Sequence, residues 1–173
     1  MSTPEFVLEL RKKIGHDLLW LNGVTGCVLN EHGQLLLGRR SDTGEWAMVY
    51  GINEPGEQPA DTVVREIKEE TGIDAIVTDL VAVTSSNKAL TYANGDNTMY
   101  MDHSFLCALK PGGNAEPFVG DEESLSVGWF DLDDLPTPLA ASTSERLELF
   151  HTYIENKKHG DAHALFQFDG QQY

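Results

Sequence analysis

Residues 59 to 72 constrain this chain more than any other stretch, because their pattern suits a two-sided helix and little else. Pro59 fits a first helical turn, where no amide donor is needed, and Gly72 fits the left-handed residue that ends a helix. At about 100° per residue, Ala60, Val63, Val64, Ile67 and Thr71 line up as an apolar stripe, with Glu66, Glu69 and Glu70 as an acidic stripe roughly 120° away. One face must therefore dock on a core while its neighbour carries the carboxylates.

An acidic run of this kind is more often a solvated surface, but two features count against that here. Like charges three or four residues apart cost a helix a few tenths of a kcal/mol per pair, and Arg65 alone lies beside the stripe to relieve them. A divalent cation relieves the same repulsion, and clustered carboxylate oxygens suit hard ions such as Mg²⁺ or Mn²⁺. The second feature is the segment before the helix. Gly51 and Gly56 allow a tight path that returns Glu57 toward Arg65, where a carboxylate and a guanidinium form a brace.

Gly51, Glu57, Arg65-Glu66, Ile67, Glu69-Glu70 and Gly72-Ile73 together resemble the signature of the Nudix hydrolases, and residues 51–73 fill every fixed position of it. The resemblance implies an α/β fold, the Nudix-type α/β/α sandwich with a mixed β-sheet. It also implies cleavage of the diphosphate linkage in a nucleoside diphosphate joined to another group, using water and Mg²⁺, with Mn²⁺ as a substitute. By the same resemblance Glu66, Glu69 and Glu70 ligate the metal, Glu66 takes the proton of the attacking water, and Glu57 and Arg65 are the bracing pair. The resemblance also implies that the carbonyl of Tyr50 completes the metal shell and that Glu123, six residues before Trp129 as a loop glutamate often is in the family, is a further ligand. Most relatives enter the signature through Pro-Gly-Gly, whereas this chain has Val49-Tyr50-Gly51.

The chemistry agrees with such a site. Water attacks the phosphorus of a diphosphate only when the negative charge is neutralised and the leaving oxygen stabilised, and divalent ions do both while a carboxylate takes the proton. The formal charge of −16 sharpens the need for cations at the site and argues against a general nucleic-acid-binding surface. With 12 Lys and Arg in all, the pair Arg39-Arg40 before the signature becomes a candidate phosphate contact. Tyr92, Asn94 and Asp96, in the polar segment 87–97, are candidates for stacking on and hydrogen bonding to a base.

The 173 residues are expected to form one domain, 1–173. A first helix is expected at about 4–14, capped by Thr3, and strands at Gly23 to Leu29 and Gln34 to Arg39. Further strands are expected at Ala75 to Thr84, Tyr100 to Leu109 and Ser124 to Phe130. A last helix at about 142–157 has capping-box spacing at Ser142 and Glu145 and places Leu147, Phe150 and Ile154 on one face. Cys27 and Cys107 read as buried thiols, His103 as a structural histidine and Trp46 as core or pocket rim. No apolar run is long enough to span a membrane, so the cytoplasm is the default location, a nucleotide-type small molecule is the expected partner, and a homodimer stays open. An alternative is a non-catalytic nucleotide sensor on the same fold. Some ADP-ribose hydrolases of the resembled family carry a proline about fifteen residues beyond the signature, whereas here no proline lies between Gly72 and Leu109, and Tyr92 falls 19 residues beyond Ile73, close to a dinucleotide-hydrolase position without matching it. A nucleoside triphosphate, a nucleotide sugar and a dinucleotide all remain open as substrates.

Overall fold

The computed structural model describes residues 3–173. In chain order its elements are α1 (Glu5–Ile14), β1 (Leu19–Leu29), β2 (Leu35–Arg40), β3 (Trp46–Ala47), β4 (Val49–Ile52) and α2 (Pro59–Thr71). Then follow β5 (Ala75–Ser85), β6 (Leu90–Thr91), β7 (Asn97–Leu109), β8 (Ser124–Phe130), α3 (Ala141–Lys158) and the short pair β9 (Gln167–Phe168) and β10 (Gln171–Gln172). The main sheet runs β3-β2-β1-β7-β5, with β4 on β1, β6 on β7 and β8 on β2. β1 and β7 are parallel over Leu19 to Leu29 and the other pairs are antiparallel, so the sheet is mixed, as expected.

Alternation along the strands sorts the core into two layers. Val24, Val28, Leu36, Val49 and Phe105 face α2 and pack with its Val63 and Ile67. Cys27, Leu35, Leu37, Met48 and Val81 face the opposite way and pack with Phe150 and Tyr153 of α3. α1 covers a smaller patch through Val7, Leu21 and Ile52. A Cβ at Gly26 would meet Val63 and Ile67 at 3.0 Å, so glycine lets α2 lie close on β1.

α2 begins at Pro59 and ends at Gly72 in the left-handed conformation (φ 72°), with the Gly72 N–H donated to the Lys68 carbonyl. Local chemistry alone dictates both ends. Other boundaries moved. β1 starts at Leu19 rather than Gly23 and β7 at Asn97 rather than Tyr100, because Leu19–Asn22 pair with Thr98–Met101 although Trp20 and Asn22 are exposed. The residues that open the signature form a strand, β4, rather than a loop, and of the two glycines before α2, Gly51 and Gly56, only Gly56 has a positive φ, 98°. α1 starts at Glu5 with no side-chain cap, so Thr3 does not cap it. α3 also lacks a side-chain cap: the Ser142 hydroxyl is donated to Tyr50 instead, and the face it buries is led by Phe150 and Tyr153.

Beyond Lys158 the chain is ordered around Leu165, whose N–H and C=O bond to Val81 and Val83 at the outer edge of β5. Cys27 and Cys107 are free and buried, and burial pushes the Cys107 thiol up to about 12. Trp46 meets Phe130 edge to face at 4.8 Å, and His103 bonds through Nδ1 to the Gly23 carbonyl at 3.2 Å. No helix among the described residues is long and apolar enough to cross a membrane.

Candidate active site

The site is built where β4 passes beneath α2. Glu66 is 6 % exposed, and a Cβ placed on Gly51 would fall 2.4 Å from its Cγ and 2.8 Å from its Cδ and Oε1. The side chain thus lies directly on the Gly51 α-carbon, and only glycine leaves room for it. Arg65 organises the neighbouring acids. It donates from Nε to Glu57 Oε1 (2.9 Å) and from Nη2 to Glu57 Oε2 (3.1 Å), a bidentate pair. Its Nη1 bonds Glu69 at 3.0 Å and lies 3.2 Å from Glu66 Oε1. Thr62 donates a further hydrogen bond to Glu57, and Asn53 donates to Thr62, so the loop and the helix start are held together.

These contacts split the carboxylates electrostatically. The hydrogen bonds from Arg65, then that from Thr62, hold Glu57 down at about 2. Burial, together with the charge of Glu69, raises Glu66 to about 7 against the pull of Arg65. Burial raises Glu70 to about 8, helped by the charges of Glu66 and Asp121 and opposed by Arg40. Glu69 stays on the surface. Among the described residues, no three Asp, Glu, His or Cys side chains converge as an ion-binding group, and Arg65 holds one oxygen each of Glu66 and Glu69.

The loop candidates sort unevenly. The segment before β8 wraps the C-terminal end of α2: Phe118 and Gly120 donate their N–H groups to the carbonyls of Thr71 and Glu70, and Asn114 donates to that of Gly72. This places the charge of Asp121 close enough to raise Glu70, an influence that spacing to Trp129 does not reveal. Glu123 accepts the Ser41 N–H on its carbonyl and donates its own N–H to Asp121, tying the loop to the end of β2. Arg40 grips Asp42 at 2.9 and 2.6 Å and acts electrostatically on Glu70, while Arg39 donates to the Gly44 carbonyl within the turn. In the 87–97 segment β6 and β7 form a hairpin. Tyr92 bonds Tyr100 (2.8 Å), Asn94 donates to Asp96 (3.0 Å), and Asp96 pairs with Arg11 (3.5 Å) and His16 (2.7 Å), so these three candidates are engaged with the hairpin and with α1 and its C-terminal turn.

Sequence reasoning passed over one buried polar group on the α3 face. Asp102 is 6 % exposed and accepts hydrogen bonds from Thr25 (2.8 Å) and Ser104 (2.7 Å). Arg146 of α3 lies 3.3 Å from Asp102, donates to Thr25 at 2.9 Å, and sits 5.0 Å from the centre of the Tyr50 ring. The signal was an aspartate between the apolar Tyr100-Met101 and Phe105-Leu106 of a strand, a charge that demands a partner when buried.

A fold of this kind, with a buried glutamate on the opening glycine of a strand-loop-helix and a guanidinium brace beside it, defines a class. The NUDIX domain profile matches residues 20–151, and the chain belongs to the Nudix hydrolases, enzymes that act on phosphorus-containing acid anhydrides and generally use divalent metals. It is 33 % identical over 124 residues to a MutT-like protein of Streptomyces ambofaciens, covering 72 % of each chain. It is 30 % identical over 141 residues to an 8-oxo-dGDP phosphatase of Mus musculus, covering 80 % of this chain and 39 % of that one, so it spans well under half of that relative. A MutT Nudix hydrolase structure from Burkholderia pseudomallei superposes with a TM-score of 0.62 at 29 % identity, covering 76 % of this chain and 98 % of that one.

Proposed function

We propose that this chain is a Mg²⁺-dependent pyrophosphohydrolase that cleaves the diphosphate linkage of a nucleoside triphosphate, nucleotide sugar or dinucleotide by attack of water at phosphorus. The observation that carries this reading is Glu66, a buried carboxyl seated on Gly51, 3.2 Å from Arg65 and raised to about 7. A carboxylate of that pKa is part-ionised at neutral pH, so its Oε1 or Oε2 can take a proton from water and give it up again. Arg65 and Glu57 keep the loop and the helix in one position while that happens.

The donors fit a hard divalent ion by their chemistry. Glu66, Glu69 and Glu70, with the Glu123 carboxylate and the Tyr50 carbonyl, would offer oxygen alone. Burial makes both Glu66 and Glu70 costly to ionise, the charge of Glu69 adds to the cost at Glu66 and that of Glu66 to the cost at Glu70, and Arg65 and Arg40 offset it only in part. To share an ion, Glu66 and Glu69 must turn from Arg65. When bound, the ion neutralises the diphosphate and acidifies the attacking water. Arg40 would contact a phosphate oxygen, with Arg39 beside it; Tyr92, Asn94 and Asp96 would reach a base only if they gave up their present partners. The free thiols of Cys27 and Cys107 accord with a cytoplasmic setting.

The test is a panel of nucleoside diphosphate derivatives with Mg²⁺ or Mn²⁺, the products identified by mass. Glu66→Gln and Glu70→Gln are expected to lower kcat by about 10²–10⁴-fold with the fold retained. Near-normal Mg²⁺-dependent hydrolysis in both variants overturns the roles given to them, and tight binding without hydrolysis by the unaltered protein overturns the enzymatic reading.

A further inference from the structure

We infer that Arg146, on the far side of the sheet, is a positioning residue for Glu66, acting through Tyr50 and Gly51. The inference rests on the reading of Glu66 given above. It starts from a weakness in the sheet. β4 is four residues long, and among the described residues its strand pairing is to β1 alone. A short strand with one neighbour has half the ladder that holds an interior strand. Yet β4 carries Gly51, against which Glu66 lies with no spare room.

α3 supplies the missing restraint. Alternation from Met48 into β4 turns Val49 and Gly51 toward α2 and Met48 and Tyr50 toward α3. The Thr143 hydroxyl accepts the Met48 N–H at 3.1 Å and bonds the Tyr50 hydroxyl at 2.7 Å, and Ser142 donates to the same hydroxyl at 3.2 Å. Arg146 lies over the Tyr50 ring and reaches past it to Thr25 and Asp102. Thr25 is the residue opposite Tyr50 in the β1–β4 ladder, so the guanidinium closes a ring across that one rung. Asp102 is fixed in turn by Thr25 and Ser104. A buried ion pair is a weak source of stability for its desolvation cost, so its use here is to hold one geometry. Any drift of β4 is passed at once to the arm of Glu66, because the Gly51 α-carbon is in contact with it.

Arg146→Lys is the informative change, since lysine keeps a positive charge for Asp102 but lacks the planar fork and the stack on Tyr50. The expected result is a kcat lowered about tenfold or more with KM nearly unchanged, because a small misplacement of a reacting group is felt in the transition state. Mn²⁺ affinity, measured by titration calorimetry without substrate, is expected to weaken as well. In a Glu66→Gln background Arg146→Lys is expected to change neither quantity further. If the two changes instead multiply as independent effects, or if KM rises with kcat constant, the inference is overturned. If the unaltered protein hydrolyses no diphosphate, the proposed activity fails, while the Mn²⁺ affinities of the four proteins in the cycle still decide this one. Should Arg146→Lys fail to fold, Tyr50→Phe, which removes the hydroxyl that Thr143 and Ser142 hold, carries the same comparison.

Discussion

Gly51→Ala is the sharpest single perturbation of the site. Gly51 is a strand residue without a positive φ, so backbone strain gives no reason for glycine there. The reason is contact: an added Cβ would stand 2.4 Å from Glu66 Cγ and 2.8 Å from Cδ and Oε1, where 3.4 Å is the near limit of ordinary packing. The Glu66 arm or β4 must therefore retreat by about 1 Å, and with Glu66 buried and α2 packed on the sheet through Val63 and Ile67 there is little room to do so. Overpacking of this size costs about 1–3 kcal/mol of stability. A displacement near 1 Å at a reacting carboxylate costs about 10²-fold in kcat. Urea unfolding of Gly51→Ala, Glu66→Ala and the double variant measures the first effect, and steady-state kinetics with Mg²⁺ measures the second. If the contact is the cause, most of the stability loss from Gly51→Ala vanishes once Glu66 is trimmed to alanine. An equal loss in both backgrounds, or a single variant with more than about half the parent kcat, where about 10²-fold is expected, refutes the reasoning.

Two further outcomes follow from the charges. Glu57 is held at about 2, below its ordinary 4.5, so its contribution to stability is present above 4.5 and lost as pH falls toward 2. Because its side chain is 28 % exposed, that contribution is discounted for solvent screening to about 1–2 kcal/mol, and Arg65→Met should remove it, flattening the fall in urea midpoint between those pH values. Glu66 and Glu70 behave in the opposite sense. Raised to about 7 and about 8, they favour the folded state below 4.5 and lose that stabilisation as pH climbs through 7 and 8. Mg²⁺ should therefore raise Tm more at pH 8 than at pH 6, where the ion must displace protons, and calorimetry at pH 6 should register their release. An equal Tm gain at both pH values would contradict the assigned burial of these two groups.

What could be read from the chain in advance depended on how far each cause lay along it. Pro59 and Gly72 set the limits of α2 by their own backbone chemistry, and the Glu57–Arg65 pair spans one loop and two helical turns, so both were legible. The alternation of Ser124 to Phe130 gave β8 its limits for the same reason. Arg146 and Asp102 are 44 residues apart on elements of different period, and no local pattern joins them. The influence of Asp121 on Glu70 was not legible, because spacing to Trp129 describes the strand, whereas the loop is fixed by the carbonyls at the end of α2. The Ser142 hydroxyl resembles a helix cap in sequence but in the fold serves β4 through Tyr50, beside Thr143, which holds Met48 and Tyr50.

The alternation of β4 also bears on how this segment can vary. Val49 and Gly51 turn toward α2 and Tyr50 toward α3, while Ile52 packs on α1, so insertion or loss of one residue just before Gly51 would turn the tyrosine to the α2 face and the glycine to the α3 face in a single step. Neither half could be repaired alone. Length changes between the turn at Gly44 and Gly51 should therefore survive only in pairs, which gives β4 a reading frame of two residues enforced by the helices on either side.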